Sequence, residues 1–141
     1  MKYDIHTLKN GLRAVLAPIP GNETATVIVM TGTGSRYEDA RENGLAHFLE
    51  HMFFKGTSRR RNAKAISEEL DGVGAVYNAF TAKERTAYYA KVSKQYLATA
   101  LDVISDIFLN STLPEKEIEK ERGAVIQVID LYEDLPMRTV D

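Results

Sequence analysis

Gly44-Leu45-Ala46-His47-Phe48-Leu49-Glu50-His51-Met52-Phe53-Phe54-Lys55-Gly56-Thr57 is the stretch on which the reading of this 141-residue chain turns. Gly44 to Phe54 reads as a helix. Each helical residue is rotated about 100° from the last, so His47 and His51 lie roughly 40° apart and one turn removed. Glu50 falls about 60° to the other side of His47. Leu45, Phe48, Leu49, Met52 and Phe53 gather on the opposite side, which leaves the two histidines and the glutamate on a polar stripe. Two imidazoles so placed can grip one ion. Neutral imidazole suits zinc, and zinc with an open coordination position lowers the pKa of a water to about 7. Glu50 is near enough to take a proton from that water as it attacks a peptide carbonyl, and to pass it to the leaving amine. The plain alternative is a chance grouping of surface residues, because five-residue patterns recur by accident.

Toward the N-terminus, the glycine- and charge-rich stretch Thr31 to Asn43 precedes the helix, and before it Ala25 to Met30 is a β-branched apolar run typical of a buried strand. Tyr3 to Leu8 and Leu12 to Ala17 flank Asn10-Gly11, a pair suited to the positive φ angles of a tight turn, so a β-hairpin is predicted. Toward the C-terminus, Asn62 is a candidate cap for a helix through Ile66 and Leu70 that stops at Gly72 and Gly74. Ala75 to Phe80 and Thr86 to Val92 suggest a second antiparallel pair, separated by the polar Thr81 to Arg85. Leu97, Ala100, Leu101, Ile104, Ile107 and Phe108 recur at three- and four-residue intervals, which predicts an amphipathic helix from Lys94 to Asn110. Pro114 fits the first turn of a last helix reaching about Glu133, with Glu115 and Glu117 favoured at its positive end. The pattern predicts an α+β fold, a mostly antiparallel sheet of about five strands layered with helices. With no repeat or linker, residues 1–141 are expected to form a single domain, truncated at the C-terminus because Met137 to Asp141 carry no stop signal.

Composition narrows the chemistry. Eighteen basic and twenty acidic side chains leave a net charge of -2, so no global positive field recruits nucleic acid or anionic lipid, and neither is expected as a partner. The absence of cysteine removes thiolate metal sites, disulfides and cysteine nucleophiles, leaving any metal to histidine, carboxylate or water. No signal-like h-region follows the N-terminus and no stretch approaches the length of a membrane span, so a cytoplasmic protein is expected. Arg59-Arg60-Arg61 reads as a solvated loop, His6 as an ordinary strand residue, and Tyr77, Tyr88, Tyr89 and Tyr96 as packing residues. Gly32-Thr33-Gly34-Ser35 lacks the lysine and following helix of a phosphate loop.

The segment Gly44 to Thr57 closely resembles the active-site segment of the pitrilysin and mitochondrial processing peptidase family, the inverzincins, whose motif runs His-x-x-Glu-His. The resemblance implies a zinc metalloendopeptidase in which His47 and His51 bind the metal and Glu50 is the catalytic base. Asn78-Ala79-Phe80-Thr81, followed by Thr86 and Tyr88-Tyr89, is similar to the family's Asn-Ala-x-Thr strand. There the resemblance implies that Asn78, Ala79 and Thr81 bind an extended peptide substrate as an added β-strand. Ile5 to Arg41 also resembles the family's opening, a hairpin leading into a Gly-Ser-Arg-x-Glu loop, here Gly34-Ser35-Arg36-Tyr37-Glu38.

The pattern fails at one ligand. In the family the third zinc ligand is a glutamate seven residues after the acid of a Glu-Arg pair; counting from Glu121-Arg122 reaches Val128, which has no lone pair to offer. Gln127 and Ile129 sit about 100° away on a helix and Asp130 about 200° away, so none replaces it. Glu121 is two turns along, on the order of 10 Å, and is expected to orient a histidine ligand instead. Weak or absent zinc binding is therefore expected, whether Val128 reflects natural decay, engineering or a sequence error. Family members also resemble clamshells of two halves, each longer than this chain, which implies a complementary half-domain or second subunit as partner. The competing reading is a catalytically silent relative that binds peptide or pairs with an active subunit.

Overall fold

Strand β1 (Asp4–Thr7) pairs antiparallel with β2 (Arg13–Leu16), placing Thr7 opposite Arg13. The structure, a computed structural model, describes residues 2–123. The predicted hairpin is present, but its turn is not the two-residue kind: Leu8 N–H bonds Leu12 O at 2.8 Å and Gly11 N–H bonds Leu8 O at 2.9 Å. Only Gly11 takes a positive φ, 86°, so the turn is a three-residue loop closed by a left-handed glycine. Asn10 instead uses its side chain, which accepts from Leu12 N–H at 3.1 Å.

Strands β3 (Thr24–Thr31), β4 (Val76–Thr81) and β5 (Thr86–Ser93) form a second antiparallel sheet in the order β3-β5-β4. All five predicted strands are thus found, as a hairpin of two and a sheet of three. Register matches Val27 with Ala90 and Ala90 with Tyr77, Val29 with Tyr88 and Tyr88 with Ala79, and Thr31 with Thr86 and Thr86 with Thr81. Because side chains alternate faces along a strand, these rows share one face, apolar through its first two rows and threonine in its last. The polar row lies beside the candidate site.

Helices α1 (Leu45–Phe53), α2 (Ala63–Gly72) and α3 (Leu97–Leu109) cover that face. Their core joins Val27, Tyr88, Ala90 and Val92 of the sheet to Ile66 and Leu70 of α2 and to Ala100, Val103, Ile104 and Ile107 of α3. Each fully buried aliphatic side chain of this kind contributes about 1.5–3 kcal/mol relative to exposure. Phe53, Phe54, Tyr77, Tyr88 and Phe108 close one end as an aromatic cluster, with Phe53 stacked on Tyr88 at a centroid distance of 5.3 Å. Burial pushes the Tyr88 phenol well above its usual pKa and the Glu50 charge adds to the rise, which fits a packing role.

Asn62 caps α2 as the sequence predicts, its side chain accepting from Ala65 N–H at 2.9 Å. The predicted helix over Lys94–Asn110 splits into a 3₁₀ turn, Lys94–Tyr96, and α3. Leu101 of its presumed apolar face is exposed, being turned about 60° from Ile104. The last helix begins at residue 115 and is described as far as residue 123. Val128 and the expected end near Glu133 lie outside the described residues.

Candidate metal centre

Helix α1 starts at Gly44, whose φ of 88° lets the chain turn sharply into the helix. A glycine offers no side chain to the orphan N–H groups of the first turn, and Glu38 supplies it from outside. Its carboxylate accepts from Gly44 N–H at 2.7 Å and Ala46 N–H at 2.6 Å. Glu38 follows the 3₁₀ turn Ser35–Tyr37, which is tied to the β4–β5 connection by a 2.8 Å bond from Arg36 N–H to Lys83 O. Gly34 is required there, since a Cβ would sit 2.0 Å from Ala82 O. The resemblance of the Gly34–Glu38 loop to the family's opening gives Glu38 no role. The signal was available: an acid ahead of a helix whose own cap is glycine.

On the half-buried polar stripe of α1, His47 Nε2 and His51 Nε2 stand 3.1 Å apart, with ring planes at 84°. Two ligands of one tetrahedral zinc, each at 2.0–2.1 Å, are separated by roughly 3.3 Å, so the nitrogens already stand at the spacing such an ion needs. His51 Nδ1 lies 2.6 Å from Glu121 Oε1, and Lys55 Nζ lies 2.6 Å from Glu121 Oε2. A carboxylate on Nδ1 makes that nitrogen the proton carrier and leaves the Nε2 lone pair facing His47. Burial pushes the Glu121 carboxyl upward, but hydrogen bonds from Lys55 and His51 outweigh it and hold the group below the usual glutamate range. Glu121 thus meets His51 as an ionised carboxylate.

Glu50 Oε2 accepts from Thr81 Oγ1 at 2.5 Å, linking α1 to the last residue of β4. Among the described residues strand β4 is an edge strand, paired only with β5. Three clefts border it in turn. One of about 320 Å³ is lined by Ser35, Glu38, Asn43, Gly44, His47 and Thr81. The next, of about 240 Å³, lies between Glu50, His51, Phe54, Lys55, Asn78 and Ala79. The third, of about 340 Å³, is walled by Phe54, Ile66, Ser67 and Tyr77. A groove thus follows the edge past the histidines. Two polar groups of this edge are already engaged: Asn78 Oδ1 accepts from Ala79 N–H at 2.9 Å, and the Thr81 hydroxyl is on Glu50.

His47, Glu50, His51, Glu121 and the Asn78–Thr81 edge are therefore gathered in one place. Among the described residues no group of three or more histidines and acids surrounds a single metal position. One expectation is corrected. Arg60 of the arginine run is buried, not solvated, because α2 and α3 place three carboxylates around it. It binds Glu69 through two nitrogens at 2.7 Å, Asp102 at 2.7 Å and Asp106 at 2.7 Å. Thr57 Oγ1 adds a 2.6 Å bond to Asp106, so the segment leaving α1 is clamped to the helices behind it.

A family model described as insulinase, peptidase family M16, matches residues 13–140. The chain belongs to this family. An uncharacterized zinc protease, YmxG, from Bacillus subtilis is 48% identical over 131 residues, which are 93% of this chain and 32% of that protein. The mitochondrial-processing peptidase subunit beta of Caenorhabditis elegans is 47% identical over 126 residues, 89% of this chain and 27% of that one. A solved protease from Helicobacter pylori superposes with a TM-score of 0.92 at 30% identity, covering 99% of this chain and 34% of that one. The chain thus spans about a third of the length of these insulinase-family relatives. The fold is theirs, and among these relatives zinc is written into the name of the Bacillus subtilis protein. Among the described residues no helix is long and apolar enough to cross a membrane.

Proposed function

We propose that this chain is the metal-binding part of a zinc metalloendopeptidase that cleaves extended peptides, with His47 and His51 as two of the zinc ligands, Glu50 as general base and Asn78–Thr81 as the strand on which the substrate docks. The observation that carries the reading is the pair of Nε2 atoms 3.1 Å apart on the floor of a groove bordered by a sheet edge that is unpaired among the described residues. The donor set fits zinc: two imidazoles, one oriented by a carboxylate, on a rigid helix. Bound zinc supplies a Lewis acid that polarises a carbonyl and acidifies a water.

The chain's own residues do the rest. In the metal-free protein the two nitrogens can share a proton from His47 to His51, which a cation displaces on binding. Edge strand β4 offers outward backbone groups to a peptide laid beside it, once the Asn78 carboxamide releases Ala79 N–H. Glu50, held by Thr81 at the end of that strand, takes a proton from the attacking water and delivers it to the leaving amine. Purified protein with zinc should cleave a quenched fluorescent peptide in the presence of a complementary half, and His47→Ala should lose both zinc and cleavage. Full cleavage by His47→Ala would sink the assignment.

A second reading is favoured by Val128, which stands where the family resemblance implies the third ligand. On that reading the chain binds peptide or pairs with an active subunit without cleaving. The name of the Caenorhabditis elegans relative, a subunit, supports a paired arrangement under either reading.

A further inference from the structure

We propose that Lys55 is a positioning residue for the histidine pair: by gripping one oxygen of Glu121 it fixes the carboxylate that keeps His51 turned toward His47. The proposal rests on the zinc-peptidase reading. Lys55 is four residues beyond His51, hence on the same side of the chain as it leaves α1, and its ammonium lies 2.6 Å from Glu121 Oε2 while Oε1 lies 2.6 Å from His51 Nδ1. A carboxylate held at only one oxygen can rotate about its terminal bond and swing its side chain. Held at both, it presents one lone pair in a set direction to the imidazole.

A lysine has a long, flexible stem, so it positions another group only if its own root is fixed. Here it is. Lys55 N–H bonds Met52 O at 3.0 Å, and the next residue, Gly56, has a φ of 148° and so little room that a Cβ would meet Arg61 O at 2.9 Å. Gly56 O accepts from Thr112 N–H at 3.1 Å, and Thr57 N–H bonds Arg60 O at 2.7 Å. Arg60 is in turn locked to Glu69, Asp102 and Asp106. The ammonium therefore extends from a backbone clamped on both sides. Only a quarter of the Lys55 side chain is exposed, against four fifths for Lys64 on α2, whose ammonium lies 3.5 Å from the exposed Glu68 carboxylate.

The test compares the chain with its Lys55→Met, Lys55→Gln and Lys55→Arg variants, with Lys64→Met as control. Nitrogen-15 NMR of the zinc-free proteins, recorded under one set of conditions, reads the His51 tautomer. Competition with a chromogenic chelator reads zinc affinity. Lys55→Met is expected to shift His51 away from the Nδ1–H form and to weaken zinc about tenfold or more, the usual effect of losing an outer partner of a ligand. Lys55→Gln, which keeps a donor, should fall between, Lys55→Arg should recover most of both signals, and Lys64→Met should change neither. An unaltered tautomer and unaltered zinc affinity in both Lys55→Met and Lys55→Gln would overturn the proposal. If the unmodified chain binds no zinc that His47→Ala abolishes, the peptidase reading fails, and the tautomer comparison alone then decides the role of Lys55.

Discussion

Among the described residues the Glu50 carboxylate has one side-chain hydrogen-bond partner, the Thr81 hydroxyl, and that bond joins the proposed base to the proposed substrate strand. Replacing Glu50 by Gln keeps the shape and removes the basicity. Cleavage by the assembled enzyme is expected to drop by about 10²–10⁴, the usual worth of a general base, while zinc binding is retained. Zinc content by atomic absorption beside a peptide assay checks both halves of that statement. Thr81→Val deletes the donor with little change of volume. A hydrogen bond to a charged group is worth about 1.5–3 kcal/mol, so kcat should fall at least about tenfold while KM stays near its original value, and Thr81→Ser should restore it. A rise in KM alone would instead give Thr81 a role in docking only. At this scale the motif was plain in the sequence, because three residues on one helix need only the helical period to be placed together. Lys55, Glu38 and the second use of Thr81 were not, because each acts on a residue from another element.

Arg60 shows the same limit between elements. Three arginines in a row read as solvent-facing, and the carboxylates that bury the middle one belong to α2 and α3, which only the packed core brings near. Asn62, by contrast, caps its own helix, and its role was legible from local sequence. Removing one partner of a buried charge cluster strands the others, so Arg60→Met is expected to cost about 3 kcal/mol of stability, read from urea unfolding. The cluster also sets a pH dependence. Hydrogen bonds from Arg59 and Arg60 lower the Asp102 carboxyl from 3.8 to about 2. A carboxyl with a depressed folded-state pKa adds stability above its unfolded value and loses it as pH falls through its folded value. The stability difference between the chain and Asp102→Asn should therefore be full above about pH 4 and close by about pH 2. A difference that stays constant across that window would show that Asp102 contributes through packing, not charge.

For the molecule as a whole, two imidazoles on one helix cannot by themselves make the full donor set of a catalytic zinc site, which takes three protein ligands and leaves one position open. The fold, the helix carrying the pair and the edge strand beside it were all readable from period and motif. Completion of the site was not, because the position that the resemblance implies for the third ligand is held by Val128, outside the described residues, and the chain covers only about a third of its relatives' length. The two readings of function part here. If Val128 is what holds the site back, Val128→Glu adds an anionic ligand to a pair already at the right spacing, and zinc affinity should tighten about tenfold or more with a one-to-one stoichiometry. Isothermal titration with zinc, run on the chain and on Val128→Glu in parallel, measures this directly. Peptide cleavage should then appear in Val128→Glu once a complementary half is supplied and remain absent when Glu50→Gln is added to it. Tight binding by the unmodified chain would mean that a ligand other than residue 128 completes the site, and the argument from Val128 to a silent relative would fall with it.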